Sequence, residues 1–152
     1  MEKQSTILAS LFLMLSIVLG AFGAHALKAV LNEELLQTFE IGVRYQSFLA
    51  LSTLVLALQA DRFSFSVKRI TQAMLLGLFL FSFSIYGIVA LKHAGLSVGI
   101  LGPITPIGGA ISIISWCVFI FRLLKYWQGL NFFVNHVLLL MNSFYIWLVF
   151  HR

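Results

Sequence analysis

Five stretches of this chain run without a single Asp, Glu, Lys or Arg: residues 4–24, 45–60, 70–91, 94–121 and 126–150. A helix needs about 20 mostly apolar residues to cross ~30 Å of hydrocarbon, and lipid offers no partner for an unpaired backbone group, so runs like these fold as membrane-spanning helices. Four are long enough outright. The second is shorter, but Ile41, Gly42 and Val43 extend its apolar character and the Arg44 side chain can snorkel towards the headgroups. The expected fold is all-α: a polytopic membrane helix bundle forming one domain over residues 1–152.

Charge supports this reading. Hydrophobic residues make up 61% of the chain and charged residues 10%, against ~25% charged in soluble domains. The net charge of +5 does not point to nucleic acid, because the basic residues are scattered among the connections and form no basic stripe. They read as topology signals. Lys3, Arg62, Lys68, Arg69, Arg122 and Lys125 fall on one side of an alternating bundle; Lys28, Arg44, Lys92 and Arg152 fall on the other. The positive-inside rule then places the N-terminus in the cytoplasm.

Ala24-His25-Ala26 behind an apolar run has the small-x-small shape of a signal-peptidase site, but the n-region holds one Lys offset by Glu2, which favours retention of the first helix. Cys117, the single cysteine, lies within the fourth run and reads as a small packing residue.

Helix 1 is expected over about 5–26, with Gly20 and Ala24 at a spacing that lets another backbone approach. Leu27, Leu31, Leu35, Phe39 and Val43 then recur at every fourth position, with Asn32 placed to cap a turn opened by Glu33 and Glu34. This pattern predicts a short interfacial helix over about 33–42, followed by helix 2 over 43–60. Helix 3 is expected over 70–91, where Ser82 and Tyr86 share a face and Ser84 is rotated away. In the fourth run Thr105 could cap a helix with Pro106 at its first position, so helix 4 is expected over 106–124 with an apolar loop before it. A fifth helix over about 127–149 has aromatic residues at both ends. It carries a polar stripe of Asn131, Asn135, His136 and Asn142 that would face a partner protein or a second copy of the chain.

If the spans alternate, His25, the segment Glu40, Arg44, Tyr45 and Gln46, then Ser82 and Tyr86, and finally Thr105, Gly108 and Gly109 all lie in the non-cytoplasmic half. Two readings stand: a hydrogen-bonded belt that fixes helix register, or a ligand or ion site, since ionisable groups within spans are functional candidates. Glu40 and Arg44 are four apart and suited to a local ion pair. One histidine without a Cys or a second nearby His falls short of a metal ligand set. No metal or cofactor is expected.

These same residues fall in four signatures: Gly20-Ala21-Phe22-Gly23-Ala24-His25-Ala26-Leu27; Phe39-Glu40-Ile41-Gly42-Val43-Arg44-Tyr45-Gln46; Phe81-Ser82-Phe83-Ser84-Ile85-Tyr86; and Ile104-Thr105-Pro106-Ile107-Gly108-Gly109 leading to Trp116. In this order, over about residues 5–124, they resemble the uncharacterised small inner-membrane family typified by the bacterial YgdD and YwdK proteins. The resemblance implies a four-helix membrane protein of unassigned molecular function. Two departures stand out: the family usually has a histidine soon after the Tyr-Gln pair, where this chain reads Ser47-Phe48-Leu49-Ala50, and a glycine where this chain has Phe83. The fifth segment lies outside the resemblance.

The sequence contains no paired carboxylates, Cys-His pair or nucleophile-base motif within its spans. The leading expectation is therefore a non-enzymatic accessory or docking bundle for another membrane component. The alternative is a small transporter or a lipid- or ion-binding protein with a pocket near His25, Tyr86 and Thr105, beside an interrupted helix of the kind that lines substrate sites.

Overall fold

The computed structural model describes the backbone of residues 1–150 and the side chains of residues 1–127. The chain divides into two units, Met1–Cys117 and Val118–Arg152. Its helices are α1 (Lys3–His25), α2 (Glu33–Leu58), α3 (Lys68–Leu78), a π-helical turn (Phe79–Phe83), α4 (Ser84–His93) and the opening of α5 (Leu101–Phe150), with one-turn 3-10 pieces at Leu27–Ala29 and Ala60–Arg62. Among the described residues, four stretches are long and apolar enough to cross a membrane: Lys3–Ala29, Glu33–Leu58, Lys68–His93 and Leu101–Trp127.

The first two run antiparallel in a register fixed by side chains. Gln46 meets Phe12, Ser47 meets Ser16, a side chain at Gly20 would touch Val43, and one at Gly23 would touch Phe39. At the far end the Glu2 N–H donates to the Ala57 carbonyl at 3.0 Å. Exposed large apolar residues such as Ile7, Ile17, Phe48 and Ile113 cover the outside, as expected for a surface whose solvent is acyl chain.

Two expectations are corrected. The segment expected to be a separate interfacial helix is the first three turns of α2, which begins at Glu33 with Asn32 Oδ1 accepting from the Leu35 N–H at 2.9 Å. Nothing in 33–43 breaks a helix, and the apolar repeat faces protein: Leu35 and Phe39 are buried with Val89, and Leu27, Leu31 and Val43 pack against them. α5 begins at Leu101, five residues before Pro106. Pro103 falls in the first turn, where backbone N–H groups have no intrahelical partner anyway, so only Pro106 removes a bond from the ladder. The C-terminal segment is helical as expected, within α5 (Leu101–Phe150).

The third span is interrupted by the π-helical turn at Phe79–Phe83. A wider turn holds more residues, so side chains beyond it no longer follow the 100° step of an α-helix. That shift in phase decides where Ser82, Ser84 and Tyr86 point.

Candidate functional site

The largest fully buried polar side chain among the described residues is Gln46, which has no exposed surface. Its position on α2 follows Phe39 and Gly42 at three- and four-residue steps, the face turned to the other helices. Gln46 Nε2 donates to the Phe12 carbonyl at 2.8 Å, and Gln46 Oε1 accepts from the Tyr86 hydroxyl at 2.8 Å. One amide thus links α1, α2 and α4. Tyr86 is held from the sides by Phe39 and Phe83, with ring centroids 5.0 and 5.7 Å away. It also fills the space beside Gly42, where a Cβ would come within 2.7 Å of Tyr86 Cε1.

A second polar contact joins α4 to α5. Ser84 Oγ lies 2.7 Å from Thr105 Oγ1 and donates to the Phe81 carbonyl at 2.9 Å. This reverses the expectation for the helix-3 serines: Ser84 finds a partner, while Ser82, expected to share a face with Tyr86, is fully buried and its Oγ makes no hydrogen bond. The π-helical turn supplies the cause, since the helical phase that placed Ser82 and Tyr86 together does not hold across it. Thr105 does not cap a helix start; it sits in the second turn of α5.

Around the same turn α5 approaches at backbone distance. A Cβ on Gly108 would collide with the Phe81 nitrogen and stand 2.9 Å from the Gly77 carbonyl oxygen, and one on Gly77 would collide with Ser112 Oγ. Gly109 opens onto an apolar crevice of about 290 Å³ bounded by Tyr45, Leu49, Phe81 and Trp116. The exposed Tyr45 ring packs against Phe81 at 5.1 Å.

The remaining candidates lie outside these contacts. His25 is exposed, and its Nδ1 is 3.0 Å from the Ala21 carbonyl of its own helix. Glu40 and Arg44 are both exposed. The ion pair expected between them is absent from the described residues, where the pairs formed are the N-terminus with Asp61 and Lys92 with Glu34. The crevice bounded by Gly109 and a second one of about 450 Å³ beside Lys28, Glu33 and Glu40 both exclude His25, Tyr86 and Thr105. No group of three His, Cys, Asp or Glu suited to a metal ion occurs among the described residues. Asn131, Asn135, His136 and Asn142 lie outside the residues whose side chains are described.

Sequence reasoning missed two further ties, Ser5 Oγ to Thr71 Oγ1 at 2.9 Å and Ser47 Oγ to Ser16 Oγ at 2.9 Å. It also missed Gly77, the other half of the α5 contact. Serine within an apolar run was the available signal, but nothing local says which of many serines meet.

Every signature segment found in the sequence thus contributes to one set of helix contacts, in the order of the four spans. A family described as "Protein of unknown function (DUF423)" matches residues 19–109. The chain belongs to the DUF423 family. The UPF0382 membrane protein YwdK of Bacillus subtilis is 38% identical over 127 residues, covering 82% of this chain and 98% of its own length. The UPF0382 membrane protein SERP0230 of Staphylococcus epidermidis is 36% identical over 82% of this chain and 98% of its own. C1782.12c, a UPF0382 membrane protein of the fission yeast Schizosaccharomyces pombe, is 36% identical over 71% and 91%. No solved structure matches. These DUF423 relatives are named as membrane proteins and their names assign no activity, so this chain is a membrane protein of a family whose molecular function is unassigned.

Proposed function

We propose that this DUF423 protein is a non-enzymatic membrane bundle that serves another membrane component as an accessory or docking subunit, set in a bacterial inner membrane with its N-terminus in the cytoplasm. One observation carries the reading: the buried Gln46 is engaged on both sides of its amide, by Phe12 and by Tyr86. An amide whose nitrogen and oxygen both reach neighbouring helices acts as interhelical glue, which is the role expected of a buried polar group in a bundle that does no chemistry. Ser84 and Thr105 are tied to each other in the same way. The orientation rests on the excess of Lys and Arg at Lys3, Arg62, Lys68 and Arg69.

Extraction of the full chain from its native membrane in mild detergent, after brief cross-linking, tests the docking role. A membrane protein recovered in constant ratio supports it, and a partnerless monomer under every gentle condition overturns it.

A second reading, a lipid-binding protein, is favoured by the apolar crevice at Tyr45, Phe81, Gly109 and Trp116, which lies beside the π-helical turn. Resolved density for an acyl chain there, in a map of the protein in a lipid nanodisc, would raise it above the first.

A further inference from the structure

One face of α2 stays uncovered from end to end, and its upper half is polar. Glu33, Gln37, Glu40 and Arg44 follow at steps of four, three and four residues, all exposed, so they form a single stripe. Below Arg44 the same face continues with Phe48, Leu51 and Val55, also exposed. The apolar half needs no explanation in lipid. The polar half does.

The register with α1 gives its depth. Ser16 pairs with Ser47 and Gly20 stands against Val43, so Arg44 lies level with Leu19, five residues from the middle of the charge-free run 4–24. At ~1.5 Å per residue this is roughly 8 Å from the centre of a hydrocarbon layer whose half-thickness is ~15 Å. Glu40 lies one turn nearer the surface. Gln37 Nε2 donates to Glu33 Oε1 at 3.3 Å, but among the described residues Glu40 and Arg44 have no hydrogen-bond or ion-pair partner, and Lys28, which borders the same crevice as Glu40, pairs with neither. Glu40 thus stands near the hydrocarbon edge and Arg44 roughly 7 Å inside it, where an unpaired charge is costly and must either snorkel or find a partner.

We infer that this face of α2 is where a second copy of the chain docks, with Glu40 of each subunit paired to Arg44 of the other. Two copies inserted with the same topology are related by a two-fold axis along the membrane normal, which sets α2 beside α2 in parallel. Glu40 and the opposing Arg44 are then offset by one turn, about 6 Å, a span that their long side chains cover. The Glu40–Arg44 part of the stripe is self-complementary: it presents one negative and one positive group, and the two-fold axis brings each to its opposite twice, while Glu33 lies two turns nearer the surface. The three- and four-residue steps continue through Phe48, Leu51 and Val55, the spacing of a helix-pair seam. The inference concerns self-association and stands independently of the docking role proposed above.

The test uses full-length chains labelled with donor or acceptor dyes in vesicles of neutral phosphatidylcholine. Energy transfer is expected for the wild type. Glu40→Arg places positive groups at both 40 and 44 and Arg44→Glu places negative groups at both, so each alone should self-associate at least about tenfold more weakly, as like charges are opposed at both contacts. Mixed, the two variants should recover wild-type transfer, because every contact in the mixed pair joins opposite charges. The double variant E40R/R44E should also recover it. A wild-type monomer, a wild-type dimer indifferent to both single changes, or a mixture no better than its components would overturn the proposal. So would association that appears only with anionic lipid, which would assign Arg44 to a headgroup. Unchanged helix content by circular dichroism in each variant separates loss of pairing from loss of fold.

Discussion

The third span is held on its two sides by opposite means. Towards α2 the contact is polar and directional: Tyr86 reaches Gln46, and the ring is seated between Phe39 and Phe83. Towards α5 it is a close approach of backbones, with Gly77 and Gly108 against each other and Gly108 against the π-helical turn. Lipid tails are as apolar as leucine, so burying side chains gives membrane helices little drive to associate, and either hydrogen bonds or close packing must supply it. The polar seam selects its partner by the direction of donors and acceptors. The glycine seam selects by shape, with the Ser84–Thr105 hydrogen bond as its polar tie. This predicts that the second tolerates no added volume, whereas the first tolerates volume better than it tolerates loss of a polar atom.

The largest effect is therefore expected at Gly108. In Gly108→Val the new Cβ meets the Phe81 nitrogen and the Gly77 carbonyl, backbone atoms that cannot rotate away as a side-chain tip can. The helices must separate, at a cost of about 3 kcal/mol. Titration of the purified protein with SDS in mixed micelles, followed by circular dichroism, reads this as a fall in the unfolding midpoint. An unchanged midpoint would mean that α5 does not cross the third span at backbone distance.

The difference between the seams also explains what could be read from the residues alone. Spans are legible because hydrocarbon forbids charge over a fixed length, and the charge-free runs report that length directly. Gln46, Tyr86, Thr105 and Gly108 stand out because each is an unusual residue in an apolar helix. Their pairing is not legible, since it depends on which faces meet across tens of residues. Gly77, one glycine in the apolar helix Lys68–Leu78, carries no signal until Gly108 is seen against it. The exchange of roles between Ser82 and Ser84 hides in the π-helical turn, which no cap, proline or charge announces. Alternation of spans likewise sets the level of His25, Glu40 and Arg44 but not the side of the bundle they face. All three lie on the outside.

A smaller effect is expected at the polar seam. Gln46→Leu keeps the volume but leaves the Tyr86 hydroxyl without its acceptor, and Tyr86→Phe leaves Gln46 Oε1 without its donor. Each should lower stability by roughly 1–2 kcal/mol, the range for hydrogen bonds between membrane helices and for stranded buried polar groups. The pair is diagnostic when combined: Q46L/Y86F should cost less than the sum of the two, since the second change removes a group that the first has already stranded. Strict additivity in the same SDS titration would show that the two side chains do not bond.

The smallest effect sharpens the comparison most, because it concerns a hydroxyl that belongs to neither seam. Ser82 is as buried as Gln46, lies within the π-helical turn and makes no hydrogen bond. A buried polar atom without a partner contributes nothing favourable, and replacing it by an apolar group of similar size is neutral or stabilising. Ser82→Ala should therefore leave the SDS midpoint within about 0.5 kcal/mol of wild type or raise it slightly. Ser84→Ala, two residues away, should lower it, as Thr105 then loses its partner at 2.7 Å. If the order is reversed and Ser82→Ala is the damaging change, Ser82 binds something that the chain itself does not supply, such as an ordered water or the polar end of a ligand. The π-helical turn would then be the first place to look for it, since such turns widen a helix where a site is built.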